Sequence, residues 1–442
     1  MIELLCRKMP LSSLLRGLLE RCFAAERLEA LFEAHAREQY TRDLLFSTVC
    51  DLLLSVVLRV YPSTHAAYQD RQQELNVSVV ALYDKLKGIE VAVSAALVRE
   101  TARDLSALLD ALDCPPEPGL PGYAVRILDG NCLEASEKRL GVHQGLAAAA
   151  LPGKSRVVLD PERRLLVEVV PCEDGHAQER SLLEAVLPTV QAGEVWIADR
   201  NFCTLGFLRG LQERQAAVVV RRHGSLPFGE QTPFAPAVGG EEGQRLFEQR
   251  IEVEGRTYRC VRIELPAPTR DGDTHLDVLT DLPDTVDAAT VARLYRKRWT
   301  LETAFQHLEQ HFASELNTLA YPRAALFGFC LALVAYNVFS VMRAALDSAH
   351  SEPVSKGVSS YDIAHEISAT FRALLLLGEA LDWQFLATCP PVQFAHWLRD
   401  VARNVRLDSL KKHGRGPKKP PQKNPYDPKQ PHVSTYKLLR DQ

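Results

Sequence analysis

The chain lacks any excess of positive charge: 52 lysines and arginines face 56 aspartates and glutamates, for a formal net charge of −4. The sequence pI is near 6.4. Nucleic-acid binding driven by whole-chain charge is thereby excluded, and any affinity for phosphate has to be local. The ten cysteines form no CxxC pair and no Cys/His run at zinc spacing, which excludes a zinc ribbon or a disulfide scaffold and fits a reducing compartment. The opening MIELLCRKMPLSSLL has no long apolar stretch ending in a small-residue cleavage site, so a secretory leader is not expected. The run from Ala324 to Met342 contains no Asp, Glu, Lys or Arg and reaches transmembrane length. Tyr336, Asn337 and Ser340 within it, and the lack of a second such run, favour a buried helix of a soluble domain.

What is present is a chain of 442 residues, long enough for two or three domains with their own cores. From Leu11 to Leu112 apolar residues recur every three or four positions, which predicts an all-α N-terminal domain over 1–113, a candidate for DNA-end binding. Within it VSVVALYDKLKGIE, Val77 to Glu90, reads first as an amphipathic core helix. The alternative is a recognition helix with Tyr83, Lys85 and Lys87 outward. The proline-rich CPPEPGLPG, Cys114 to Gly122, marks a boundary. Beyond it YAVRILDGN, SRVVLDPERR and LLVEVVP read as three strands, then AQERSLLEAVLPTVQ as a helix, VWIAD as a strand, TLGFLRGLQERQ as a helix and AAVVVRR as a strand. That alternation predicts an α/β core over 114–222 and 284–345, interrupted by a β-rich insertion at 223–283. Residues 284–345 open with one long helix, VARLYRKRWTLETAFQHLEQHF. A C-terminal helical region is expected over 346–410, and a basic, proline-rich tail, extended or disordered on its own, over 411–442.

Three carboxylates stand out. Asp129 closes the first predicted strand and Asp199 the fourth, and strand ends are where an α/β sheet collects reactive side chains. An aspartate that starts a turn is commonly only a backbone cap. If the two strands are neighbours, however, their acids converge and require a cation between them. With Glu302, in YRKRWTLETAF, the all-oxygen set Asp129, Asp199 and Glu302 suits Mg²⁺ or Mn²⁺. Tyr295, Arg298 and Glu302 fall on one helical face, and Tyr295, Lys297, Arg298 and Trp299 are the candidate DNA contacts there. The plain alternative is an Arg298–Glu302 surface ion pair. Lys411, Lys412, Lys418 and Lys419 head the basic tail, which is suited to salt-sensitive DNA contact.

Tyr295, Arg298 and Glu302 match a Tyr-x2-Arg-x3-Glu-x6-Lys signature, Asp129 stands in LDGN, and Asp199 stands in ADRNF. In these features the chain resembles the DDE-type transposases of bacterial insertion sequences, in the group that carries that signature. The likeness runs from about Tyr123 to the C-terminus, where PHVSTYKLL also fits. It implies a ribonuclease-H-like core with a β-rich insertion, with Asp129, Asp199 and Glu302 holding two Mg²⁺ or Mn²⁺ ions. The implied activity is cleavage at element ends followed by strand transfer into target DNA, by a homodimer in the DNA complex, in the bacterial cytoplasm at the nucleoid. Alternatives are a metal-dependent nuclease of the same fold, or a non-catalytic DNA-binding protein derived from a transposase. The signature lysine is replaced by Glu309, and Asn201 stands where the family has glycine.

Overall fold

The structure is a computed structural model describing residues 1–39, 44–113, 119–237, 244–269, 272–350, 357–359, 361–367, 370–371, 383–411 and 432–440. Eight helices come first: α1 (Ile2–Lys8), α2 (Pro10–Cys22), α3 (Ala25–His35), α4 (Phe46–Val57), α5 (Thr64–Asp70), α6 (Gln72–Leu75), α7 (Val79–Gly88) and α8 (Val91–Ala111). Local chemistry sets several of their ends. The hydroxyls of Ser63 and Ser78 accept from the Ala66 and Ala81 amides and so cap α5 and α7. Helix α7 is amphipathic: Leu82 and Leu86 are buried, Val80 and Asp84 are exposed, Lys85 sits over the Phe32 ring and Lys87 over the Tyr321 ring.

The strands are β1 (Ala124–Cys132), β2 (Ala150–Leu151), β3 (Lys154–Asp160), β4 (Leu165–Cys172), β5 (Glu194–Ala198), β6 (Ala217–Arg221), β7 (Gly229–Glu230), β8 (Ala235–Pro236), β9 (Leu246–Val253), β10 (Arg256–Glu264), β11 (His275–Thr280) and β12 (Val433–Ser434). Ten of them form one sheet in the order β4-β3-β1-β5-β6-β11-β10-β9-β7, with β8 on β9. Strands β1, β5 and β6 run parallel, and the remaining pairings are antiparallel. Alternate residues serve two cores, as strand geometry requires. Ile127, Val157, Ile197 and Val219 belong to the large core that the N-terminal helices share with the helices following the sheet, whereas Leu128, Val158, Trp196 and Val218 face the short α9 (Leu183–Val186) and the crossover helix α10 (Leu205–Glu213).

Three expectations change. The residues at 223–283 are strand-rich, but β11 pairs with β6, so they extend the central sheet instead of standing apart from it. The single long helix breaks at Lys297–Arg298 into α11 (Ala288–Arg296) and α12 (Trp299–His311). The C-terminus is not extended throughout: β12 pairs with β2, and Thr435–Arg440 is helical. Lys437 there reaches Asp174 at 3.3 Å, and the Thr435 hydroxyl meets Nε2 of the buried His143 at 3.3 Å. A strand signal two residues long is invisible to pattern reading.

The charge-free run lies in α13 (Pro322–Ala349), the one described helix long and apolar enough to cross a membrane, and 89% of its apolar window is buried inside the fold. It packs on α8 and on the edge strand β4. There the Asn337 side chain, fully buried, accepts from the Leu166 amide (2.7 Å) and donates to the Leu166 carbonyl (2.8 Å), as a neighbouring strand would. Asn337→Ala leaves both groups buried without partners and is expected to cost about 2–4 kcal/mol. Urea unfolding measures this, and an unchanged midpoint would contradict it.

Candidate active site

The two aspartates emerge side by side because of register. In the parallel pair β1–β5, Leu128 stands opposite Ala198, so Asp129 and Asp199 are the next residues on strands spaced about 4.8 Å apart. Asp129 remains within β1, opposite Val157 of β3, and its Oδ1 accepts from the Gly130 amide at 2.8 Å. Asp199 leads into the turn Arg200–Phe202, and its side chain does not cap that turn. The aromatic of this turn, Phe202, is buried beneath the Arg156 guanidinium, 5.6 Å from the ring centre.

The third acid arrives on α12. Arg298 Nη1 lies 3.3 Å from Asp129 Oδ2 and 2.5 Å from Glu302 Oε1, so one buried guanidinium bridges the two carboxylates. Burial pushes the Asp129 carboxyl up to about 6; Arg298 opposes that rise, and the charges of Glu302 and Asp199 add to it. Asp129 therefore feels the charge of both Glu302 and Asp199. The Arg298–Glu302 pair is real, but it is no isolated surface bridge, because its arginine is committed to Asp129 as well.

The other expected contacts divide. Trp299 is 59% exposed, with Arg298 4.9 Å from its ring centre. Tyr295, expected at a DNA-facing surface, is instead buried at 4% exposure. Burial drives its hydroxyl up to about 12, and the Asp199 charge adds to that rise. The break after Arg296 accounts for this, since it ends α11 with Tyr295 against the sheet. Lys297 acts by charge on Glu162 in the β3–β4 turn. Lys411 is exposed and pairs with Asp408 at 2.5 Å. Lys412, Lys418 and Lys419 lie outside the described residues.

Sequence reasoning missed Glu315, which follows α12. Its carboxylate accepts from the Asn131 side chain at 3.3 Å and from the Glu134 amide, and burial raises its pKa. It thereby ties down the end of β1, two residues beyond Asp129. No spacing or motif marks this residue; only the fold brings it there. Among the described residues no three His, Cys, Asp or Glu side chains already lie at metal-holding spacing.

Residues 121–338 match the family model of the transposase DDE domain. This part of the chain is a transposase DDE domain. The domain spans β1 through most of α13 and includes Asp129, Asp199 and Glu302. No curated protein matches the chain significantly. Among solved structures, the chain is similar to the piggyBac transposase in a cryo-EM structure of its synaptic complex with hairpin DNA. That similarity covers 93% of this chain and 88% of the other at 12% identity and a TM-score of 0.40, too loose to bear on fold or function.

Proposed function

We propose that this DDE protein is a transposase that cleaves DNA at element ends and transfers the freed 3′ end to target DNA, using Asp129, Asp199 and Glu302 on a ribonuclease-H-like core. The observation that carries the reading is the register of β1 against β5, which sets Asp129 within β1 beside Asp199 just past the end of β5, near a helix-borne glutamate. The donor set fits a hard divalent ion: it is all oxygen, partly buried, and carries three acids against one arginine. Asp129, Asp199 and Glu302 would hold Mg²⁺ or Mn²⁺, which when bound activates a water or 3′-hydroxyl and stabilises the leaving oxygen.

The chain's own contribution is placement. Arg298 orients Asp129 and Glu302 toward each other, Glu315 holds the end of β1 beyond Asp129, and the exposed Trp299 offers a ring on which an unpaired base at the DNA end stacks. Element ends and target DNA are the partners, a homodimer is the working unit on DNA, and the bacterial cytoplasm is the setting. The test is incubation of a supercoiled plasmid carrying the element's own ends with protein and Mg²⁺. Cleavage at those ends leaving 3′-hydroxyls is expected; binding without cleavage in Mg²⁺ and in Mn²⁺ would overturn the reading.

Glu309 replaces the signature lysine and is exposed, and its charge adds to that of Glu134 in raising Glu315. Glu309→Lys is expected to strengthen binding to a cleaved end by a few tenths to about 2 kcal/mol, the range of one phosphate contact. A gel-shift titration reads this. Weaker binding together with slower cleavage would show that Glu309 serves the site as it stands.

A further inference from the structure

The end of α4 meets the last turn of the candidate catalytic helix. Helix α4 ends in a closed turn: the Arg59 amide donates to the Val56 carbonyl at 2.9 Å, and the Val60 amide to Ser55 at 2.9 Å. Such a closure places one residue in the left-handed region, where glycine is strongly favoured. Here that residue is an arginine, at φ 59°. A side chain kept where it strains the backbone calls for a compensating role elsewhere.

The role is visible at the far end of α12. Arg59 Nη2 donates to the carbonyls of Glu309 (2.9 Å) and Phe312 (2.8 Å), and the Ala313 amide donates to the Val57 carbonyl at 2.8 Å. Carbonyls in the last turn of a helix have no partner within the helix, and a cation there also complements the helix dipole. At the N-terminal end of α12, Arg298 makes no side-chain cap bond; its guanidinium reaches Asp129 and Glu302 instead, so the helix is held at both ends. Glu302 stands two turns before the clamped end. Phe312 adds an edge-to-face contact with Phe339 of α13, with ring centres 4.9 Å apart.

We infer that Arg59 is a positioning residue for strand cleavage: by fixing the C-terminal turn of α12 it holds Glu302 in register with Asp129, coupling the N-terminal helices to the chemistry. The inference rests on the proposed role of Glu302. Arg59 itself touches neither Asp129 nor Glu302 and lies on the surface.

The experiment compares full-length wild type, Arg59→Gly, Arg59→Lys and Glu302→Ala by single-turnover cleavage of bound element ends across Mg²⁺ concentrations, with DNA affinity and melting temperature measured in parallel. Arg59→Gly removes the guanidinium while easing the backbone, so it tests the clamp without straining the fold. Its cleavage rate constant is expected to fall about 10-fold, the range for residues that orient metal ligands. Its half-maximal Mg²⁺ concentration should rise, DNA affinity and melting temperature should hold, and Arg59→Lys should recover part of the rate. Wild-type cleavage by Arg59→Gly beside an inactive Glu302→Ala overturns this inference alone. Full cleavage by Glu302→Ala overturns both this inference and the site reading. A rate loss matched by weaker DNA binding, or one that vanishes below a lowered melting temperature, also overturns it, making Arg59 a DNA contact or a purely structural cap.

Discussion

Alanine at Asp129, Asp199 or Glu302 is expected to reduce end cleavage at least about 1,000-fold, the scale seen when a group acting directly on the reacting centre is removed. DNA affinity should stay within about twofold, because none of the three carboxylates offers a donor to phosphate. Lost chemistry can be told from lost folding at Asp129. Burial holds that carboxyl at about 6, so its charged form is a cost to the native state. Asp129→Asn should therefore melt no lower than wild type while failing to cleave. Arg298 would keep its bond to Glu302 in that variant. Wild-type cleavage by any one alanine variant removes that residue from the centre.

Neutralising Lys412, Arg415, Lys418, Lys419, Lys423 and Lys429 to glutamine, with His432 to Gln442 left intact, is expected to have the largest effect on DNA affinity. The slope of log affinity against log salt should become shallower by about 0.9 for each phosphate that a basic side chain no longer neutralises, and up to about 1,000-fold of salt-sensitive affinity is at stake for six such phosphates. Cleavage of DNA already bound should persist. Truncation after Lys411 is a different experiment, because it also removes Val433 and Ser434 from β2 and Lys437 from Asp174. That protein should lose stability as well as affinity. Titrations between about 50 and 200 mM salt read both variants, and an unchanged slope in the glutamine variant would make the segment a bystander.

Much of this was legible in the sequence because it is local. The DPERR turn does join β3 to β4, with Asp160 Oδ1 accepting from the Glu162 and Arg163 amides. The strand that leads into Asp199, the buried character of Ala324 to Met342, and the DDE-type family followed from short patterns, whereas the strand expected to close at Asp129 runs on to Cys132 because β3 pairs with it that far. What escaped depends on contacts far apart in sequence. Whether residues 223–283 form a separate layer or extend the sheet is decided by whether β6 finds β11, and no residue in either strand announces its partner. The break at Lys297–Arg298 was hidden because both residues keep helical dihedrals, so periodicity ran through it and Tyr295 was assigned to the wrong surface. Glu315 and Arg59 carry no motif. Their roles come from what the fold sets beside them, Asn131 in one case and the end of α12 in the other.

Strand transfer from a pre-cleaved end tests the central claim most directly. Two versions of the end are compared, one with a 3′-hydroxyl and one with a 3′-deoxy terminus, each incubated with target plasmid and either Mg²⁺ or EDTA. Joined product is expected only with the 3′-hydroxyl and Mg²⁺, and it should disappear with Asp199→Ala. Efficient end cleavage with no joining under any condition would identify a nuclease instead, and joining that survives EDTA or Asp199→Ala would contradict a centre built on these carboxylates.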